Sequence, residues 1–253
     1  FGALAKADEL KKRLWFTVGA LIIYRLGTYL PLPGIDPGAL ADIFSQQSSG
    51  ILGMFDMFSG GALGRMTIFA LNIMPYITAS IIMQLMTAIV PSLEALKKDG
   101  EAGRKMINQY TRYLTVLLAT VQGYGIAVGL ESASGVVDDP GLFFRVTTVV
   151  TLVGGTLFLM WLGEQITSRG VGNGISLIIF AGIVANLPTA LAGTLELGRT
   201  GALSSLLIVL LFVMAAVVIA FIVFIERSVR KILVQYPKRQ HGNKVFGGDQ
   251  SFL

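Results

Sequence analysis

Four stretches of this chain, 113–130, 146–163, 170–195 and 200–225, contain no Asp, Glu, Lys or Arg, and a fifth, 66–90, is equally bare. Each is at least 18 residues long. At a rise of about 1.5 Å per residue, such runs match the roughly 30 Å hydrocarbon core of a bilayer. Lipid gives a bare peptide group no partner, so spans of this kind close their hydrogen bonds internally as helices. Composition agrees: 53% of the residues are hydrophobic and 14% charged, whereas soluble domains carry about 25% charged residues. The expected fold is an all-α integral membrane protein, a polytopic helical bundle of about six transmembrane helices. Five are clear from the bare stretches. The sixth, 14–30, is interrupted by Arg25 and closed by a turn at Pro31 and Pro33. A central arginine costs about 2.5–3.5 kcal/mol on insertion scales, but Arg25 is near one end, where its side chain is expected to snorkel to the surface.

Residues 51–64 stand apart. As a helix they would be about 21 Å long, too short to span, and they would join the 66–90 helix without a true loop. Glycine recurs at Gly53, Gly60, Gly61 and Gly64, the polar residues are Asp56 and Ser59, and Ile51, Leu52, Met54, Phe55, Met57, Phe58, Ala62 and Leu63 are apolar. A half-helix at membrane depth needs protein or a water-filled cavity around it, so 51–64 is a candidate plug for a pore. Spacing alone leaves an amphipathic connector at the outer interface equally open. The 66–90 helix carries Asn72, Thr78, Ser80, Gln84 and Thr87, with Pro75 freeing a carbonyl inside it, and therefore calls for a protein or water neighbour. Gln122 in the next span could supply a hydrogen bond. Ile73 and Ile77 share one helix face and Ile179 and Ile183 another, a spacing more often used for packing than for lining a pore.

The basic residues set an orientation. With the N-terminus inside, sixteen of the 20 Lys and Arg fall on the cytoplasmic side, where short loops retain positive charge. Arg25, Arg65, Arg145 and Arg199 are left on or near the outer side. No cleavable leader is visible before residue 14, and a chain that opens on Phe1 is read as trimmed. The inner charge reads as retention against anionic lipid, with no sequence-specific nucleic-acid binding.

Enzyme signatures fail. The chain has no cysteine, and its one histidine, His241, sits in a basic loop. Residues 170–174 and 100–105 lack the spacing of a dinucleotide or phosphate loop and read as turns, with Asn173 tolerating left-handed geometry or capping the next helix. No metal, cofactor or catalytic constellation is expected. The spans show no paired carboxylates or histidines of the kind ion-coupled transporters use. A secondary transporter with broken helices remains the alternative, and an intramembrane protease would need residues the spans do not provide.

The runs 73–81, 109–113, 158–167 and 172–183 (Ile-Met-Pro-Tyr-Ile-Thr-Ala-Ser-Ile, Gln-Tyr-Thr-Arg-Tyr, Phe-Leu-Met-Trp-Leu-Gly-Glu-Gln-Ile-Thr and Gly-Asn-Gly-Ile-Ser-Leu-Ile-Ile-Phe-Ala-Gly-Ile) closely resemble the bacterial SecY family, the channel subunit of the Sec protein translocase. The resemblance extends from Leu14 to the end. It implies a ten-helix channel of two inverted halves in the bacterial cytoplasmic membrane, opening across the bilayer for secreted proteins and sideways for membrane helices. It assigns 51–64 to the plug, Ile73, Ile77, Ile179 and Ile183 to the pore constriction, and Thr78, Ile81 and Ile82, with Gln122 opposite, to the lateral gate. Residues 226–253, with Arg227, Arg230, Lys231, Lys238, Arg239 and Lys244, match the loop that contacts cytoplasmic partners. The implied partners are SecE-like and SecG-like membrane subunits, the SecA ATPase, the ribosome, and signal peptides and nascent chains as substrates. The organisation expected is a cytoplasmic segment 1–13, a first channel half 14–192, an outer loop and sixth helix 193–225, and a cytoplasmic loop from 226. The family has about four more helices after that loop, so this chain is expected to be a fragment that closes no channel alone.

Overall fold

The computed structural model describes residues 8–36, 38–40, 56, 59–133, 135–201 and 203–228, and the backbone of four short strands beyond them. The chain divides into two units, Phe1–Ala190 and Leu191–Leu253. The first holds α1 (Asp8–Gly27), α2 (Met74–Ile89), α3 (Pro91–Lys98), α4 (Gly100–Ser132), α5 (Leu142–Arg169) and α6 (Gly174–Ala185). Helix α7 (Leu187–Arg199) runs across the division, and α8 (Ser205–Glu226) lies in the second unit. There, β1 (Leu233–Gln235) pairs antiparallel with β4 (Gln250–Phe252), and β2 (Arg239–His241) with β3 (Lys244–Phe246).

Among the described residues, four helical stretches are long and apolar enough to cross a membrane: Gly100–Ser132, Leu142–Arg169, Gly174–Arg199 and Leu206–Glu226. The α2–α3 pair, bent by 99°, makes a fifth if it is taken as one broken span. The expected span 14–30 forms helix α1 but does not meet that measure. Lys11, Lys12 and Arg13 occupy its first half and Arg25 its last turn.

Two expectations are corrected. Residues 100–105, expected as a turn, form the start of α4. Residues 66–90 are not a continuous helix; 66–73 are turns, and α2 has only 16 residues, about 24 Å. Pro75 sits in the first turn of α2, where its missing N–H costs nothing and its fixed φ favours the start, so it begins the helix instead of kinking it. Met66 (φ +41°) and Asn72 (φ +50°) adopt left-handed backbone, which a helix cannot contain. At the other end Val90 is extended (φ −94°, ψ 115°), as the residue before Pro91 must tend to be, and α3 leaves at its steep angle.

The hairpin of α4 and α5 is the frame of the first unit. Thr111, Thr115, Ala119, Gly123 and Ala127 are buried at four-residue intervals along α4, a stripe of small side chains that lets a neighbouring helix approach closely. An ion pair ties the hairpin near each end: Arg112 to Glu164 at 2.7 Å, and Arg145 to Glu131 at 2.7 Å. Residues 112–131 and 145–164 cover equal lengths of helix, about 29 Å each, so the pairs hold the two helices in register. One buried cluster lies along this hairpin and includes Leu32, Met66, Ala119, Val136, Phe144 and Leu152. A second gathers Tyr24, Ala62, Phe69, Ile73, Leu159, Ile166 and Ile178.

Candidate functional site

Asp56 organises the end of the 51–64 segment. Its Oδ1 accepts from the Gly64 N–H (2.6 Å) and the Ser59 hydroxyl (3.3 Å), and its carbonyl accepts from the Gly61 N–H (3.0 Å). Ser59 Oγ in turn accepts from the Leu63 N–H at 3.1 Å. Asp56 and Ser59 are helical, and the chain turns from Gly60. Gly60 (φ +69°) and Gly61 (φ +82°) take the left-handed conformation that favours glycine. Ile51, Leu52, Gly53, Met54, Phe55, Met57 and Phe58 lie outside the described residues, so the described part of the expected plug is Asp56 and 59–64.

The turn rests on helix α6. A Cβ on Gly60 would stand 3.0 Å from Gly182 Cα, a tight contact at a position whose positive φ already favours glycine. The Tyr24 hydroxyl donates to the Ser59 carbonyl at 3.4 Å. Ala62, next to the turn, is fully buried in the same cluster as Ile73 and Ile178, against which Ile77 and Ile179 pack half-buried. Three of the four expected constriction residues are thus gathered beside the turn. Ile183 stands apart, 36% exposed and outside the cluster. Ile73 precedes α2 as its N-cap residue, so it meets Ile77 across the helix start, not along a helix face. Ile178 is fully buried beside them.

Thr78 and Gln122 line one cavity of about 730 Å³ with Ser59, Leu63, Met66 and Met74, so the two polar gate candidates do face a common space. Ile81 and Ile82 are exposed on α2 and do not line it. The turn before α6 behaves as a cap: Asn173 Oδ1 accepts from the Ile175 and Ser176 N–H groups at 3.0 and 3.3 Å. Of its glycines only Gly172 has positive φ; Gly174 is required because a Cβ there would lie 2.0 Å from the Gly163 carbonyl oxygen.

Arg227 caps the C-terminus of α8, and Arg239 and Lys244 fall on β2 and β3. Arg230, Lys231 and Lys238 lie outside the described residues. Within the expected cytoplasmic loop, β1 pairs with β4 and β2 with β3.

The sequence model of the SecY family matches residues 67–253. The chain belongs to the SecY family. It is 57% identical over 251 residues to the protein translocase subunit SecY of Rickettsia bellii, covering 98% of this chain and 58% of that protein. Against the SecY of Escherichia coli K12 the figures are 55% over 248 residues, 97% and 56%. The chain therefore spans somewhat over half the length of the SecY relatives it matches. Among solved structures, a protein-conducting channel superposes with a TM-score of 0.65 at 18% identity, covering 96% of this chain and 52% of the other. Sec61 from a canine ribosome–channel complex of the endoplasmic reticulum gives a TM-score of 0.51 at 20% identity, covering 75% and 38%. These establish the SecY fold, a multi-pass helical membrane protein, and none supports the secondary-transporter reading.

Proposed function

We propose that this chain supplies the first half of a protein-conducting channel that carries secretory proteins across the bacterial cytoplasmic membrane and releases membrane helices sideways into it. The observation that carries this reading is the Gly60–Gly61 turn seated on Gly182 beside Ala62, Ile73, Ile77 and Ile179. A collar of aliphatic side chains resists wetting and blocks ions, yet deforms around a peptide without binding any side chain tightly. Sequence-blind passage depends on that indifference. The Thr78 and Gln122 cavity serves as the near wall of a lateral gate, through which segments partition according to hydrophobicity. The subunit makes and breaks no covalent bond. Its driving energy comes from the SecA ATPase or a translating ribosome docked on the basic residues after Glu226, and SecE-like and SecG-like subunits complete the assembly. The N-terminus is cytoplasmic.

Ion conductance of the whole channel in planar bilayers tests the seal. Ile77→Ser and Ile183→Ser are expected to raise leak, whereas Ile77→Val stays near wild type because the seal needs apolar volume more than one shape. Ile73 is a poor probe, being fully buried: a serine there confounds wetting with misfolding. Unchanged conductance in both serine variants would return these isoleucines to packing.

A further inference from the structure

Arg25 does not simply snorkel. Its Nη1 donates to the Gly60 carbonyl at 2.9 Å and lies 3.5 Å from Thr28 Oγ1, while Nη2 donates to the Tyr29 hydroxyl at 3.2 Å. Arg65 reaches the same Gly60 carbonyl through Nη2 at 3.2 Å and the Gly61 carbonyl through Nε at 3.0 Å. Both guanidiniums stand over the Tyr29 ring, at 5.1 and 4.3 Å from its centroid. Among the described residues neither arginine pairs with a carboxylate.

We propose that Arg25, Arg65 and Tyr29 form a latch that positions the Gly60–Gly61 turn against Gly182 and so keeps the re-entrant segment seated. The inference rests on the plug reading above. The turn is enclosed from two sides, since a Cβ on Gly60 would meet Gly182 Cα at 3.0 Å and Arg25 Nη1 at 3.2 Å. Its acceptors are backbone carbonyls, so the hold does not depend on which side chains the turn carries. Two like charges converge on one oxygen, and the negative face of the Tyr29 ring offsets their repulsion. Arginine suits the task because a planar fork of donors reaches Gly60, Thr28 and Tyr29 at once, which a lysine ammonium on a flexible stem does less well. Arg25 and Arg65 thus act as positioning residues for the turn.

The 253 residues of this chain contain no cysteine; with any cysteine elsewhere in the whole protein replaced by serine, Ala62→Cys, at a fully buried position next to the turn, reports seating by its thiol-labelling rate in membranes. Ser204→Cys, at an exposed position on the outer side of the proposed topology, serves as the reference site. Arg25→Ala is expected to raise the labelling rate at least tenfold, Arg25→Lys and Arg65→Ala several-fold, and Tyr29→Leu several-fold, while Tyr29→Phe, which keeps the ring, stays within about twofold. Combined Arg25→Ala and Arg65→Ala should fall short of the product of the single effects, because both donors share one carbonyl. If Arg25→Ala fails to accumulate, Arg65→Ala and Tyr29→Leu, both at exposed positions, carry the test. Rates unchanged from wild type in these variants overturn the latch. Conductance measured in parallel separates the two ideas: faster labelling with raised leak supports latch and plug together, whereas faster labelling with unchanged leak upholds the latch and overturns the plug reading beneath it.

Discussion

Gly154 and Gly155 look interchangeable in the sequence, yet a Cβ on Gly155 would lie 2.0 Å from the Ile68 carbonyl oxygen, while nothing lies within 4 Å of one on Gly154. Gly155→Ala is therefore expected to destabilise the protein by about 1–3 kcal/mol or more through overpacking, and Gly154→Ala to be neutral or slightly stabilising in a helix. Thermal unfolding in detergent separates them. Asn173→Ala, which removes the acceptor for two N–H groups at the start of α6, should cost about 1 kcal/mol by the same measurement. At this scale the sequence shows residue types but not approach distances. Arg25 was visible as a charge in an apolar run; that its partner is a carbonyl 35 positions away follows from no local pattern.

The apolar spans were legible because lipid leaves the backbone few alternatives. Segment 66–73 was not, since hydropathy reports what a segment avoids and says nothing of its φ and ψ. Met66 and Asn72 sit in left-handed backbone inside a run whose apolar character suits a buried turn as well as a helix. Pro75 held the missing clue: a proline eleven residues after Gly64, the end of a glycine-rich stretch, is better placed at a helix start than within one. Similarly, α4 and α5 were expected as separate spans, and their ion pairs depend on a register no single helix encodes. These pairs should differ in weight. Glu131 is 9% exposed and also accepts from the Gly141 N–H at 3.0 Å, whereas Arg112 and Glu164 are 50% and 34% exposed. Arg145→Ala, which strands a buried carboxylate, is expected to cost about 1.5–3 kcal/mol, and Arg112→Ala about 1 kcal/mol or less. Comparable losses in detergent melts would contradict that ranking.

At the scale of the whole molecule, the proposed function has charge decide orientation and aliphatic volume decide the seal. Sixteen of the 20 basic residues fall on one side of the proposed topology, so single cysteines at Ser48, Ser134 and Ser204 should react with an impermeant thiol reagent applied outside, and those at Lys98 and Lys238 should not. Labelling of Lys98→Cys in sealed cells would reverse the assignment. The constellation of Gly60, Ala62, Ile73, Ile77 and Ile179 brings together residues from three separated parts of the sequence. Periodicity could pair them only two at a time, and resemblance to the SecY family supplied their common meaning before the fold supplied their common place. The central claim is that a polypeptide passes this collar. It is met most directly by placing a photoactivatable side chain at Ile77, in the whole channel, and arresting a secretory chain in transit. The account predicts a strong crosslink from Ile77 to the arrested chain and little from Ile22, an exposed position on α1. Equal yields at the two sites, or none at Ile77, would contradict it.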